Sequence, residues 1–181
     1  MKSSANQIFK PRSSFLSIEK DFSIITKRIL ECKELTKILY YSVPNYLEQP
    51  DLTEEQKLSL IGNEIRITPT IIQDKVLKNY MIIGFDNFFK NLNNPEFKDS
   101  ALTFDIICNY EVWNLGNFRL RPYRIAGLLD SLFQDQRLSG LGTLDFGGGS
   151  MVFLNEEFGG ISIRYNLLNG GEDTHNPLTP E

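Results

Sequence analysis

Histidine and cysteine are nearly missing from this chain, whose 181 residues include one histidine and two cysteines. The single histidine, His175, excludes a two-histidine metal site, and Cys32 and Cys108 lie too far apart in sequence to suggest a thiolate one. Each cysteine falls on an apolar-periodic position, where a free thiol behaves as a small core residue. Positive charge is also in deficit, with 19 Lys and Arg against 23 Asp and Glu and a net charge of −4. That balance argues against a protein whose main work is wrapping nucleic acid by phosphate neutralisation. Long apolar runs are absent too, and nothing approaches the roughly 20 residues that a membrane-spanning helix needs. The opening stretch MKSSANQIFKPRSSF lacks the apolar segment of a secretory signal. The expectation is synthesis in a reducing cytosol, with no membrane partner.

What is present is periodicity. Over 119–168 an amphipathic helix gives way to a two-stranded hairpin. Ile125, Leu128, Leu129, Leu132 and Phe133 form one apolar stripe, and Pro122 suits a first helical turn because its missing N–H has no partner to lose there. The period then changes to two. Phe158, Ile161, Ile163, Tyr165 and Leu167 are expected in a strand whose other face carries Ser162, Arg164 and Asn166, with a bulge at Gly159 and Gly160. A second strand is expected over 101–113, where Leu102, Phe104, Ile106 and Cys108 share a face. Ile107 and Trp113 make the opposite face partly apolar, which marks it as a place to look for a partner.

Upstream, the spacing of Ile18, Phe22, Ile25, Ile29, Cys32, Leu35 and Leu39 predicts one long helix over 17–41, about 35 Å in length and ended by Val43-Pro44. Thr53 and Gln56 have the spacing of a capping box, and Gly62 reads as the stop of a short helix. Residues 64–71 alternate as an edge strand bent at Pro69, and 78–90 read as a further strand. The order implies one α+β domain over 16–168, an antiparallel sheet of four to five strands with a long amphipathic helix and a second helix packed on it. Flexible arms are expected at 1–15 and 169–181, which carry polar and turn-forming residues without core positions.

No catalytic, cofactor-binding or metal-binding constellation emerges. The glycine-rich GLGTLDFGGGS precedes a strand instead of opening a helix and lacks a following Lys-Ser or Lys-Thr, so it is read as a bend in a hairpin and not a phosphate loop. Asp105 and Glu111 are too distant along one strand to share a metal, and Glu156-Glu157 sit at an expected hairpin tip. Candidate partner contacts are Lys10 and Arg12 in the N-terminal arm, Arg119, Arg121 and Arg124 at the start of the main helix, and Trp113. An arginine cluster opposes the positive end of a helix dipole, so an acidic or phosphate-bearing partner would compensate it. A solvated helix start is the bland alternative.

The run from Tyr80 to Leu168, with RPYRIAGLLDSLF, the Gly-rich hairpin and the closing strand GGISIRYNLL, resembles the tail-terminator and head–tail joining proteins of tailed bacteriophages. The resemblance implies a structural virion protein without enzymatic activity or cofactor. It implies a ring of like subunits in the neck or tail, contacting portal, adaptor or tail proteins, through which double-stranded DNA passes without sequence-specific binding. Such a protein would be made in the host cytoplasm and end in the virion. A near-neutral or acidic wall suits such a channel, since tight phosphate contacts would hold the DNA back. The alternative from another class is a nucleic-acid-binding accessory protein using the arginine cluster and the aromatics.

Overall fold

The computed structural model describes residues 18–68, 78–90, 98–138 and 142–168. Both expected arms, with Lys10, Arg12 and His175, and the bend at Pro69 lie outside the described residues. The helices are α1 (Ile18–Glu31), α2 (Lys33–Tyr40), α3 (Glu54–Ser59) and α4 (Arg121–Phe133). The strands are β1 (Ile65–Arg66), β2 (Asn79–Lys90), β3 (Lys98–Asn109), β4 (Arg137–Leu138), β5 (Gly142–Phe153) and β6 (Phe158–Leu168).

The strands make one sheet in the order β1-β2-β3-β6-β5-β4. The four long strands β2, β3, β6 and β5 pair antiparallel, as the hairpin pattern implies. The sheet as a whole is mixed and not purely antiparallel, because β1 runs parallel to β2 with Ile65 opposite Met81. A parallel neighbour needs a crossover in place of a tight turn, and the stretch between Arg66 and Asn79 is long enough to supply one.

Buried side chains of α1, α2 and α4 and one sheet face share a single core. Ile25 and Ile29 of α1, Leu35, Ile38 and Leu39 of α2, and Ile125, Leu129 and Phe133 of α4 meet Met81, Ile83, Leu102, Phe104, Ile106, Ile163, Tyr165 and Leu167 of the sheet; α3 closes against this layer through Leu60 at its C-cap. Phe104 stacks on Phe133 with ring centroids 5.2 Å apart. Leu128 and Leu132 lie at the margin of the α4 stripe, only partly buried. On the opposite sheet face Tyr80, Ile107 and Phe158 form a small second cluster, capped by the Arg66 guanidinium 4.7 Å from the Tyr80 ring.

Three sequence expectations need correction. The predicted 17–41 helix is broken at Cys32, which is extended at φ −81° and ψ 101°. The break lets Ile38 join Leu35 and Leu39 in the core, and the Thr36 hydroxyl steadies it by donating to the carbonyls of Cys32 (3.2 Å) and Lys33 (3.0 Å). The strand expected to reach Trp113 ends at Asn109, whose side-chain oxygen accepts from the Glu111 amide and starts a short 3-10 turn over Tyr110–Val112. Gly159 and Gly160 do not form a bulge, since both pair in unbroken register with β3 and β5. They are needed for close approach: a Cβ on Gly160 would lie 1.7 Å from the Ile106 carbonyl oxygen. The bulge sits in β5 instead, between Phe146 and Gly148, where Gly148 has φ +133°. The capping box at Thr53 and Gln56 forms as spaced, and Gly62 takes φ +82° after α3.

Candidate assembly interface

The arginine cluster at the start of α4 divides into three different environments. Arg121 is not a surface residue: it is 0 % exposed, which removes it from the partner contacts expected of it. Its Nε donates to the Val112 carbonyl (2.8 Å), Nη1 to those of Ile38 (2.8 Å) and Tyr41 (2.9 Å), and Nη2 to that of Val43 (2.8 Å). Three of these carbonyls belong to the last turn of α2 and the residues just beyond it. Carbonyls there have lost their helical partners and carry the negative end of the dipole, so a guanidinium satisfies both needs at once. Burial lowers the Arg121 pKa from its ordinary value, against the opposing charges of Cys108 and Tyr46. The compensation expected from outside is thus supplied to Arg121 by the chain itself.

Arg124 is likewise engaged. Its Nε and Nη2 grip the Glu34 carboxylate at 2.7 and 2.8 Å, and the Tyr46 hydroxyl donates to the same carboxylate at 2.7 Å. These contacts raise the Arg124 pKa, the Glu34 hydrogen bond first. Arg119 is exposed, as is Arg124, whose charge is nevertheless held by Glu34. Trp113 is half-buried against the core, and its ring N–H donates to the Cys108 carbonyl at 3.0 Å. Ile107 is covered by Tyr80 and Phe158, so the partly apolar strand face that suggested a partner is closed from within.

The open apolar surface lies elsewhere, around the β5–β6 hairpin and the start of α4. On the helix side of β5, Phe146, Met151 and Phe153 are exposed, Phe153 by 75 %, and Leu154 is exposed at the turn. Tyr123 of α4 reaches across to this strand, its hydroxyl 2.9 Å from the Met151 sulfur. Phe118 is fully exposed in the preceding loop and is held at φ +59°, next to Asn117 at φ +52°. Consecutive left-handed non-glycine residues are costly, so a tightly tied loop must enforce them. Here the Leu115 amide bonds the Arg119 carbonyl (2.9 Å), and the Gly116 amide bonds the Asn114 side chain (2.8 Å). Exposed aromatics with Met and Arg beside them have the composition of interface centres.

Between α4 and β5 runs a groove of about 350 Å³, lined by Ala126, Gly127, Phe146, Ile161, Ile163 and Tyr165. Gly127 leaves its α4 wall without a side chain, and a Cβ there would touch nothing within 4 Å. A larger groove of about 1110 Å³ lies at the other end of the sheet between α1 and α3, with Phe22, Leu30, Leu58, Ile61 and Ile67 among its apolar lining. Among the described residues no three His, Cys, Asp or Glu side chains converge as a metal ion would require, and no helix is long and apolar enough to cross a membrane.

The sequence reading missed Phe118, Tyr123, Met151 and Phe153. A signal for Phe118 existed in an aromatic set among the turn formers of NLGNF, where no core position is available. Met151 and Phe153 alternate along β5 as core residues would, and only the placement of α4 over β3 and β6 leaves them uncovered.

No curated protein and no solved structure matches the chain. A family model described as YomW matches residues 33–167, which take in α2, α3, α4 and, but for the last residue of β6, all the strands among the described residues. The chain therefore belongs to the YomW family, a phage-associated family.

Proposed function

We propose that this chain is a structural subunit of a phage particle, one of the copies that build a ring in the head–tail connector or at the tail terminus through which double-stranded DNA passes. The observation that carries the reading is the exposed apolar end formed by Phe118, Tyr123, Met151, Phe153 and Leu154, presented by tied backbone and not by loose loops. Membership of a phage-associated family supports it, as does the net charge of −4, which suits a wall past which DNA must slide. The competing reading, a nucleic-acid-binding accessory protein, loses two of its described arginines, since Arg121 is buried and Arg124 is spent on Glu34.

The test is native mass spectrometry and negative-stain electron microscopy of the full chain, alone and with purified phage heads or tails. Discrete multimers on or off the particle support the ring. A chain that stays monomeric in all three conditions and binds DNA in a steeply salt-dependent manner would replace the ring with the accessory-protein reading.

A further inference from the structure

β5 is a sheet edge along most of its length. On one side it pairs with β6 from Thr143 to Phe153; on the other, β4 reaches only Gly142 and Thr143. The Leu144 carbonyl accepts from the Asp135 amide, and the Phe146 amide donates to the Gln134 side chain, but no strand among the described residues continues along Gly147–Phe153. In a strand paired on one side, alternate N–H and C=O groups point away from the partner, and an edge of this kind is a template for another strand. Natural edges are usually blunted by lysine, proline or an inward-pointing charge. Phe146–Asn155 carries none of these, the charges that bracket it are Asp145 and Glu156, and the one feature that interrupts the edge is the bulge between Phe146 and Gly148, which leaves Gly149–Phe153 in unbroken register.

That neutrality identifies the occupant. When an edge pairs with its own copy, residues near the twofold axis meet themselves, and any charge there would face a like charge. A strand neutral through its centre meets no such repulsion, whatever residue lies on the axis. The other sheet edge, β1, spans two residues and cannot match so long a run. We propose that two copies of the chain pair antiparallel along β5, joining their sheets edge to edge about a twofold axis. The small residues Gly147, Gly148, Gly149 and Ser150 let the two backbones approach. Phe146, Met151 and Phe153 of each copy then lie against the partner's strand on the side of the α4 groove. The pairing goes beyond the ring reading: it takes Met151 and Phe153 for a twofold contact, and leaves Phe118, Tyr123 and Leu154 of the exposed apolar end for any contact that joins such pairs into a ring.

The experiment uses the full chain with Ser150→Lys and Ser150→Glu, made singly. Ser150 is exposed near the middle of the edge, and its melting transition should be unchanged in both variants. Sedimentation velocity over a concentration series is expected to show reversible dimers of the parent chain, about fivefold or more weaker self-association in each variant, and recovery in a one-to-one mixture of the two. Recovery on mixing is the signature of a residue facing its own copy. A parent chain that is monomeric throughout overturns the proposal. So does self-association that both variants retain, and an odd-numbered ring indifferent to Ser150 would do so while leaving the ring reading intact.

Discussion

The arginines at the α4 start and the backbone of the β5 edge are both able to bond a partner, yet Arg121 and Arg124 are taken within the chain and the edge is open. At the α4 start the strongest donor, the Arg121 guanidinium, gives four of its five N–H groups to carbonyls of the same chain. At β5 the backbone groups of Gly147–Phe153 meet a single strand, with exposed Phe146, Met151 and Phe153 alongside. The contrast shows that conspicuous charge in a sequence is a poor guide to where a partner binds. What matters is the capacity left over once the fold has taken its share, and here that capacity is backbone and apolar surface.

The sharpest way to break this comparison is at Arg121. Arg121→Met should cost about 3–5 kcal/mol in urea unfolding, because it orphans buried carbonyls at the end of α2. A change below about 1 kcal/mol would mean that the guanidinium is dispensable and free for other use. Next in size, Gly160→Ala should destabilise by about 2–4 kcal/mol, since its Cβ would press on the Ile106 carbonyl and force β3 and β6 apart. A melt indistinguishable from the parent's would contradict the close approach.

Alkaline pH tests the closed region without mutation. Burial pushes the Cys108 thiol from its ordinary value near 9 up to about 12. Burial, helped by the hydrogen bond to Asp130, also raises the Tyr165 hydroxyl. Both groups therefore hold their protons in the folded chain while the unfolded chain loses them. Their contribution is whole below pH 9 and is lost as pH rises toward 12, by about 1.4 kcal/mol per pH unit for each group that ionises only on unfolding. Cys108→Ala should flatten the part of this slope that begins near pH 9, and a slope unchanged by it would rule the thiol out.

The smallest stability effects are expected at the surface. Glu34→Gln should cost about 0.5–1 kcal/mol, as the Arg124 pair is partly exposed. Phe153→Ser should shift unfolding by less than about 0.5 kcal/mol while weakening self-association, which separates an interface residue from a core one.

How far the sequence revealed these regions follows from the range of the interactions. The Thr53–Gln56 box, the stop at Gly62 and the alternating core face of β3 depend on residues a few positions apart, and each was legible. The break at Cys32 was not, because neither proline nor glycine marks it and the gain comes from packing Ile38 into the core. Arg121 was misread for the same reason, since its acceptors at Ile38, Tyr41 and Val43 lie about eighty positions away. Gly159 and Gly160 announced a special backbone need, but a bulge and a close approach leave the same mark in a sequence. The open edge of β5 was invisible until the sheet order placed a two-residue strand beside it.

Hydrogen–deuterium exchange of the full chain across a wide concentration range tests most directly where it associates. Amides within Gly147–Phe153 should become protected as concentration rises, and more strongly than those over Arg119–Arg124, where Tyr123 alone reaches the β5 strand. Protection that grows at Arg119–Arg124 and leaves Gly147–Phe153 fast would return the interface to the arginine cluster and contradict the account.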